Sequence, residues 1–353
     1  MNLSKSIPFP ASNLSETLVR GAGTVSDRLH IDYLLRPSEQ MQADRDADAD
    51  VIHGLSQSPK SLPPRYFYDD HGSQLFEQIC TLPEYYLTRT ETAILQAHAG
   101  AIAQLTGPCE LVELGSGSAT KTRLLLDAYQ AQSLPLLYRP IDVSAGILES
   151  SAQQLLVDYP DLTVHGLVST YQLALQRLPE TALPSRMIAF IGSTLGNLNP
   201  AACDIFFQQV TAALQPGEFF LLGIDLQKPT PILEAAYNDS QGVTAAFNLN
   251  MLRHLNRKFD GDFDLSRFEH WAFYNEGLHQ IELHLRSLAS QTIHLRALDL
   301  TIELQAGETI LSEISRKFDL DEMGRSLQKY GLQPVQTWTD PQRWFGVMLT
   351  QAR

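Results

Sequence analysis

A chain of 353 residues is long enough for two domains at about 150 residues each, and 44% apolar content can fill their cores. With 26 basic against 40 acidic residues the formal net charge is -14, and no basic patch offsets it, so neither nucleic acid nor a membrane surface is expected as a partner. Cys80, Cys109 and Cys203 lack metal-ligand spacing, so no metal site is expected; with no apolar signal region or membrane-length run, the chain reads as cytoplasmic with reduced thiols.

Residues 1–27 are rich in Ser, Pro and small polar residues without periodicity and read as a loosely ordered leader. The acids of "MQADRDADADVIHGL" read as a solvated face. In "SQSPKSLPPRYFYDDHGSQLFEQI" prolines end one element, and Leu75, Phe76 and Ile79 begin a helix. From about residue 90, short apolar runs such as "CELVEL", "RMIAFI" and "GEFFLLGIDL" alternate with amphipathic helical segments such as "KTRLLLDAYQAQ" and "AACDIFFQQVTAAL". That texture predicts an α/β fold with a largely parallel sheet covered on both faces. After Asp225 a helical segment is followed by "HWAFYNEGLHQIELHLRS", "TIHLRALDLTIEL" and "ETILSEISRKF", whose period-two alternation predicts antiparallel strands of a second, smaller domain. The last 35 or so residues read as a helix and two strands, around Val335–Trp338 and Phe345–Leu349, returning to the edge of the first sheet.

Gly115 and Gly117 stand where "CELVEL" turns into a helix, and glycine lets backbone approach a ligand that a Cβ would hold off. A dinucleotide fold would place a third glycine near position 120, where the chain reads "SATKT", and the GK[ST] of a P-loop is absent. What is left is Glu113-Leu-Gly-Ser-Gly followed by Asp142 in "YRPIDVS", an acid at the end of the next strand. A carboxylate there can accept both hydroxyls of a ribose. The combination resembles the cofactor site of class I S-adenosylmethionine-dependent methyltransferases, whose cofactor has no pyrophosphate to cradle.

The flanking segments narrow the resemblance. "YFYDDHGSQLFEQICTLPEYYLTRTE", "IDVSAGIL", "IGSTLGNLNP", "LLGIDLQK", "AAYNDSQGVTAAFNLNMLRHLNR", "IELHLRS" and "GETILSEISRKF", with the glycine turn, are similar to the L-histidine Nα-methyltransferases of ergothioneine biosynthesis, from about residue 30 to the C-terminus. The resemblance implies a Rossmann-like class I methyltransferase sheet (90–227 plus 317–353) with a smaller α+β substrate-binding domain (28–89 plus 228–316). It also implies S-adenosylmethionine as cofactor, S-adenosylhomocysteine as its product, and trimethylation of histidine to hercynine. On the cofactor side it implies Gly115, Gly117, Lys121 near the methionine part, Asp142 on the ribose and the backbone around Gly192. Thr170 stands where the family usually has an acid, and keeps one acceptor for the adenine amine; Tyr171 replaces a Phe in stacking.

On the substrate side the resemblance implies Tyr85, Tyr237 and the Asn197 amide on the carboxylate and amine, with Tyr68 lining the same pocket and Glu313 and Ser315 facing the imidazole. The i, i+2 spacing of Glu313 and Ser315 puts both on one face of a strand. Tyr68 or a water would accept the proton, and Asn197 would align the amine. Leu283 stands where the histidine enzymes commonly have Met, so another α-amino acid such as tryptophan is an alternative substrate. A non-catalytic amino-acid or cofactor sensor is the alternative from another class. Neither oligomeric state nor the number of methyl transfers is readable.

Overall fold

The computed structural model describes residues 25–34 and 48–353. The expected leader, 1–27, thus lies outside the described residues up to position 24, and its last three residues open helix α1 (Val25–Arg28). The main sheet has eight strands: β1 (Leu29–Tyr33), β3 (Cys109–Leu114), β4 (Leu137–Asp142), β5 (Thr163–Val168), β6 (Ser185–Phe190), β7 (Phe219–Asp225), β13 (Leu332–Thr339) and β14 (Phe345–Ala352). Their order is β1-β5-β4-β3-β6-β7-β14-β13; β14 runs antiparallel to both its neighbours, and β13 runs in the same direction as the other strands. A four-stranded sheet has the order β2 (Lys60–Ser61), β12 (Thr309–Arg316), β9 (Gln280–Ser287) and β8 (Phe268–Asn275); β10 (Gln291–Leu295) and β11 (Leu300–Leu304) form a ribbon.

Burial explains why β3 reads as an unbroken run. All six of its residues are buried, and successive side chains enter opposite cores: Cys109 and Leu111 on one face, Val112 and Leu114 on the other. Helices α4 (Tyr86–Thr106), α5 (Thr122–Ala131) and α6 (Ala145–Asp158) cover the first face, and α7 (Tyr171–Gln176), α8 (Pro200–Ala213) and α11 (Leu320–Lys329) the second. A helix over residues 48–56 (α2), α3 (Asp70–Thr81) and α10 (Val243–Phe259) pack a third core with the small sheet. Between the sheets, α9 (Thr230–Tyr237) contributes Leu233, Ala236 and Tyr237 to the first core, and Ala272, Ile281 and Leu283 join it from the small sheet. No helix among the described residues is long and apolar enough to cross a membrane.

Two expected boundaries are corrected. Residues 29–33, expected in the second domain, belong to the main sheet: β1 pairs in parallel with β5 from Leu29↔Val164 to Tyr33↔Val168. Arg28 secures it by donating to the carbonyl of Leu156 in the last turn of α6 and to those of Tyr159 and Leu162 beyond it. The physical reason is an open edge, whose unpaired N–H and C=O groups on β5 the short strand satisfies. The division at 89/90 falls inside α4, because "YLTRTETAILQAHAGAIAQL" stays helical from Tyr86 and no glycine or proline breaks it before Gly100.

The amino end of β3 carries a buried charge cluster. Glu110, fully buried, accepts from Arg139 Nε at 2.7 Å and from Arg186 Nε at 2.8 Å. Glu110→Ala would leave two buried guanidinium groups facing each other, and should cost about 3–5 kcal/mol of stability by denaturant unfolding. A loss below about 1 kcal/mol would show that the arginines relax to water.

Candidate active site

The chain turns on either side of β3: β4 lies to one side and β6 to the other, so a crevice opens beyond the carboxyl ends of these strands. There Gly115 has φ +72° and Gly117 φ +48°, a backbone that side-chain-bearing residues adopt at a cost, and a Cβ on either would meet nothing within 4 Å. Asp142 closes the turn from β4, its Oδ2 accepting from Gly117 N at 3.0 Å and its Oδ1 from Ser144 N at 2.9 Å. Each oxygen keeps a lone pair for a ligand hydroxyl. Beside it Val143 is 70% exposed, an apolar surface suited to the face of a base, and the buried Ser169 hydroxyl at the end of β5 has no partner among the described residues. Open glycines, a carboxylate, an apolar platform and an unpaired hydroxyl fit a nucleoside-bearing cofactor.

Below the turn, Glu113 is buried and accepts from Thr122 and Tyr138, both at 2.5 Å. Burial raises its pKa to about 7 against those two donors. It ties β3 to the first turn of α5.

The two remaining adenine-side residues are placed differently from expectation. Thr170 is the N-cap of α7, its hydroxyl accepting from Leu173 N at 3.4 Å, so part of its acceptor capacity is spent on the helix. Tyr171 lies against Phe190 and Phe206, with ring centroids 6.0 and 5.6 Å away, and is half-buried with that second core. Its ring serves packing first. Val143, which sequence reasoning missed, is the freer apolar surface.

Lys121 and Gly192 meet, and Glu91 joins them. Lys121 Nζ lies 2.5 Å from Glu91 Oε2, and the Gly192 amide donates to both Glu91 oxygens at 2.8 and 2.9 Å. Glu91, on α4 and only 1% exposed, was not singled out from sequence, since nothing local to "TRTETAIL" says which strand end it faces. Gly192 and Ser193 are consecutive left-handed residues, φ +86° and +58°. Ser193 is held so by its hydroxyl, which accepts from Asp225 N at 2.9 Å.

Gly192 also lines a cavity of about 160 Å³ together with Tyr68, Tyr85, Asn197, Tyr237, Leu283, Glu313 and Ser315. Every substrate-side residue expected from sequence thus meets in one space, although six separate segments supply them. Phe76, Phe247 and Thr244 are also part of its wall. Tyr85 precedes α4, where its ring meets that of Tyr237 edge-on at 6.0 Å. Glu313 and Ser315 both face inward from β12 beyond an irregularity in its pairing with β9 between Leu311 and Glu313. Asn197 Nδ2 donates to Glu313 Oε1 at 3.0 Å. Burial raises the Glu313 pKa to about 7, with Lys317 and the Asn197 amide pulling the other way. Tyr68 sits at the mouth, the residue 47% exposed and its hydroxyl raised in pKa by desolvation and by Glu313.

Behind this wall lies a buried ionic network that sequence reasoning missed. Asp225, at the carboxyl end of β7 and fully buried, lies 2.6 Å from Lys228 Nζ and 2.8 Å from Lys317 Nζ, and accepts from Tyr86 OH at 2.7 Å. Lys317 Nζ also donates to Tyr237 OH and Ser315 Oγ, both at 2.9 Å, and those two oxygens are 2.8 Å apart. Burial lowers the Lys228 pKa to about 8; at Lys317 burial acts the same way, but Asp225 and Tyr237 outweigh it and the pKa rises. Lys317 follows Glu313 and Ser315 in the same alternation, which is the signal that could have found it.

The arrangement has known counterparts. A family described as histidine-specific methyltransferase, SAM-dependent, matches residues 47–352. Over 312 residues the chain is 43% identical to a histidine N-alpha-methyltransferase of Mycolicibacterium smegmatis, covering 88% of this chain and 97% of that protein. It is 40% identical over 300 residues to a histidine N-alpha-methyltransferase of Mycobacterium tuberculosis, covering 85% and 93%. An ergothioneine biosynthesis protein 1 of Neurospora crassa is 31% identical over 298 residues, which are 80% of this chain but 32% of that longer protein. On this match, which takes in every cavity residue and every strand of the two sheets except β1, the chain belongs to the histidine-specific, S-adenosylmethionine-dependent methyltransferases.

Proposed function

We propose that the chain methylates the α-amine of L-histidine, three times in succession, giving hercynine as a step toward ergothioneine. The observation that carries this reading is the single cavity in which a half-buried carboxylate, Glu313, and a hydroxyl pair, Tyr237 and Ser315, face the same space. Neutral imidazole presents one N–H donor and one acceptor nitrogen, so it needs one acceptor and one donor from its pocket. Glu313 supplies the first and the hydroxyl pair the second.

Bound S-adenosylmethionine supplies an activated methyl group and leaves as S-adenosylhomocysteine. Gly115, Gly117, Asp142, Ser169 and Val143 would hold its nucleoside, and Lys121, released from Glu91, its methionine carboxylate. The chain's own contribution is alignment: Tyr85, Asn197 and Tyr237 fix the substrate's amine and carboxylate, and orientation of this kind lowers the barrier by removing rotational freedom before reaction. An ammonium has no lone pair, so one proton leaves before each transfer. The raised pKa of Tyr68 keeps its hydroxyl protonated near neutrality. Tyr68 helps to orient the amine, and the proton leaves to Tyr68 or to water. As methyl groups accumulate, the ring faces of Tyr68, Tyr85 and Tyr237 accommodate the growing cation.

Mass spectrometry of the full chain with S-adenosylmethionine and a panel of free amino acids tests the reading. Histidine should gain three methyl groups and tryptophan none; cofactor binding without turnover of any amino acid would point to a sensor. Asp142→Ala should weaken cofactor binding by about 1–3 kcal/mol in calorimetry, since the ribose loses a charged acceptor, and an unchanged affinity would remove Asp142 from the site. Glu313→Ala should lower kcat/KM for histidine by roughly 10²-fold, because a buried ring N–H is left unpaired. Full activity in that variant would mean that the imaging of the imidazole lies elsewhere.

Glu313 also predicts a dependence of stability on pH. Its folded pKa of about 7 lies above the ordinary 4.5, so between those values the folded chain binds a proton that the unfolded chain has released. Stability therefore falls as pH rises through that window. Glu313→Gln removes the penalty and should raise Tm by a few degrees at about pH 8 but little at about pH 5. The same gain at both pH values would show that no ionised carboxylate is being buried.

A further inference from the structure

The contacts around Lys317 go beyond holding two sheets together. Its ammonium has three protons, and three acceptors take them: Asp225 Oδ2 at 2.8 Å, Tyr237 OH at 2.9 Å and Ser315 Oγ at 2.9 Å. The two hydroxyl oxygens are themselves 2.8 Å apart, so the three polar atoms form a nearly equilateral triangle. Within it, proton positions are constrained. Lys317 can only donate, so each hydroxyl spends a lone pair on it. One hydroxyl then donates to the other, and the receiving oxygen, having accepted twice, has its own proton left over. That proton cannot go back to its donor or to an ammonium. Apart from this triangle neither Tyr237 OH nor Ser315 Oγ has a partner among the described residues, and both residues line the substrate cavity.

We propose that Lys317 is a positioning residue for specificity: its buried ammonium fixes the Tyr237–Ser315 pair as a hydrogen-bond donor into the cavity. The inference rests on the proposed histidine site and deepens it. Two residues before Ser315 on the same face of β12 stands Glu313, whose Oε1 already accepts from Asn197 and which when ionised has only acceptors to offer. With Glu313 ionised, the cavity thereby presents one fixed donor and one acceptor. Neutral imidazole matches both. Imidazolium, with two N–H groups, sets a donor against a donor, and indole leaves the donor unanswered. Without Lys317 the hydroxyls could rotate to accept, and the distinction would be lost. Asp225 and Lys228 make the device possible: Asp225 keeps Lys317 charged inside the core, while Lys228 supplies a second cation, so Asp225 stays paired if Lys317 is replaced.

The test is a double-mutant cycle on the full chain with Lys317→Met, Ser315→Ala and the double variant, each with cofactor affinity measured by calorimetry as the check on folding. Loss of one directed hydrogen bond should raise KM for histidine about tenfold in each single variant while kcat stays within about threefold. In the double variant the Lys317→Met effect should shrink to less than about twofold, because it acts through the hydroxyl already removed. A purely structural lysine would lower kcat and cofactor affinity together, and would cost as much in the Ser315→Ala background as in the wild type; either result overturns the proposal. So does a Lys317→Met variant with the wild-type KM. If Lys317→Met does not fold, Lys317→Gln, which keeps two neutral N–H donors, takes its place: a histidine KM between those of wild type and Ser315→Ala supports the proposal, and a wild-type KM overturns it. Wild-type turnover of histidine is the control. Its absence overturns the site reading as well, whereas normal wild-type turnover with an unaffected cycle overturns this inference alone.

Discussion

A carboxylate buried at the carboxyl end of a central strand needs compensation, and the compensation chosen for Asp225 organises both halves of the site. Its side chain binds α4 through Tyr86, the segment after β7 through Lys228, and the segment after β12 through Lys317. Its backbone N–H donates to Ser193 in the left-handed turn after β6, and its carbonyl accepts from Phe318 N. An uncompensated charge there would cost several kcal/mol, and so the partners are held in place as firmly as the core around them. Through Ser193 the same residue sets the Gly192 turn, and through Lys317 it sets the far wall of the cavity. Glu91 repeats the logic on the cofactor side, with Lys121 and the Gly192 amide as its partners.

This arrangement explains which parts of the molecule a single sequence reveals. Strands buried on both faces, the glycine turn and the Asp142 that follows one strand later are local patterns, and each has a physical reason visible within thirty or so residues. The cavity residues are a different matter. Tyr85, Asn197, Tyr237 and Glu313 carry no local signal of a pocket; only the ordered set of motifs placed them together. Glu91, Asp225 and Lys317 escaped notice because a buried ion is recognised by its partner, and the partners lie 30, 92 and 101 positions away in Lys121, Lys317 and Gly192. Of these Lys317 alone left a trace, in the alternation of Glu313, Ser315 and Lys317.

The misplaced boundary at residue 28 has a related cause. "LHIDY" is short, half polar and as suited to one open sheet edge as to another, so its pairing with β5 is decided by geometry far along the chain. Tyr171 shows the converse. The resemblance implied a ring that stacks on the cofactor, and in the structure that ring lies against Phe190 and Phe206.

The core between the two sheets is continuous, with Leu283 and Ile281 of the small sheet packed in the same cluster as Tyr86, Leu111 and Leu221 of the main one. Lobes joined only by a polar seam can melt one after the other; lobes that share their interior cannot, since separating them would expose apolar surface on both. Heating should therefore give one cooperative transition. An amino acid bound in the cavity between the sheets would then stabilise residues as distant as the amino ends of the parallel strands.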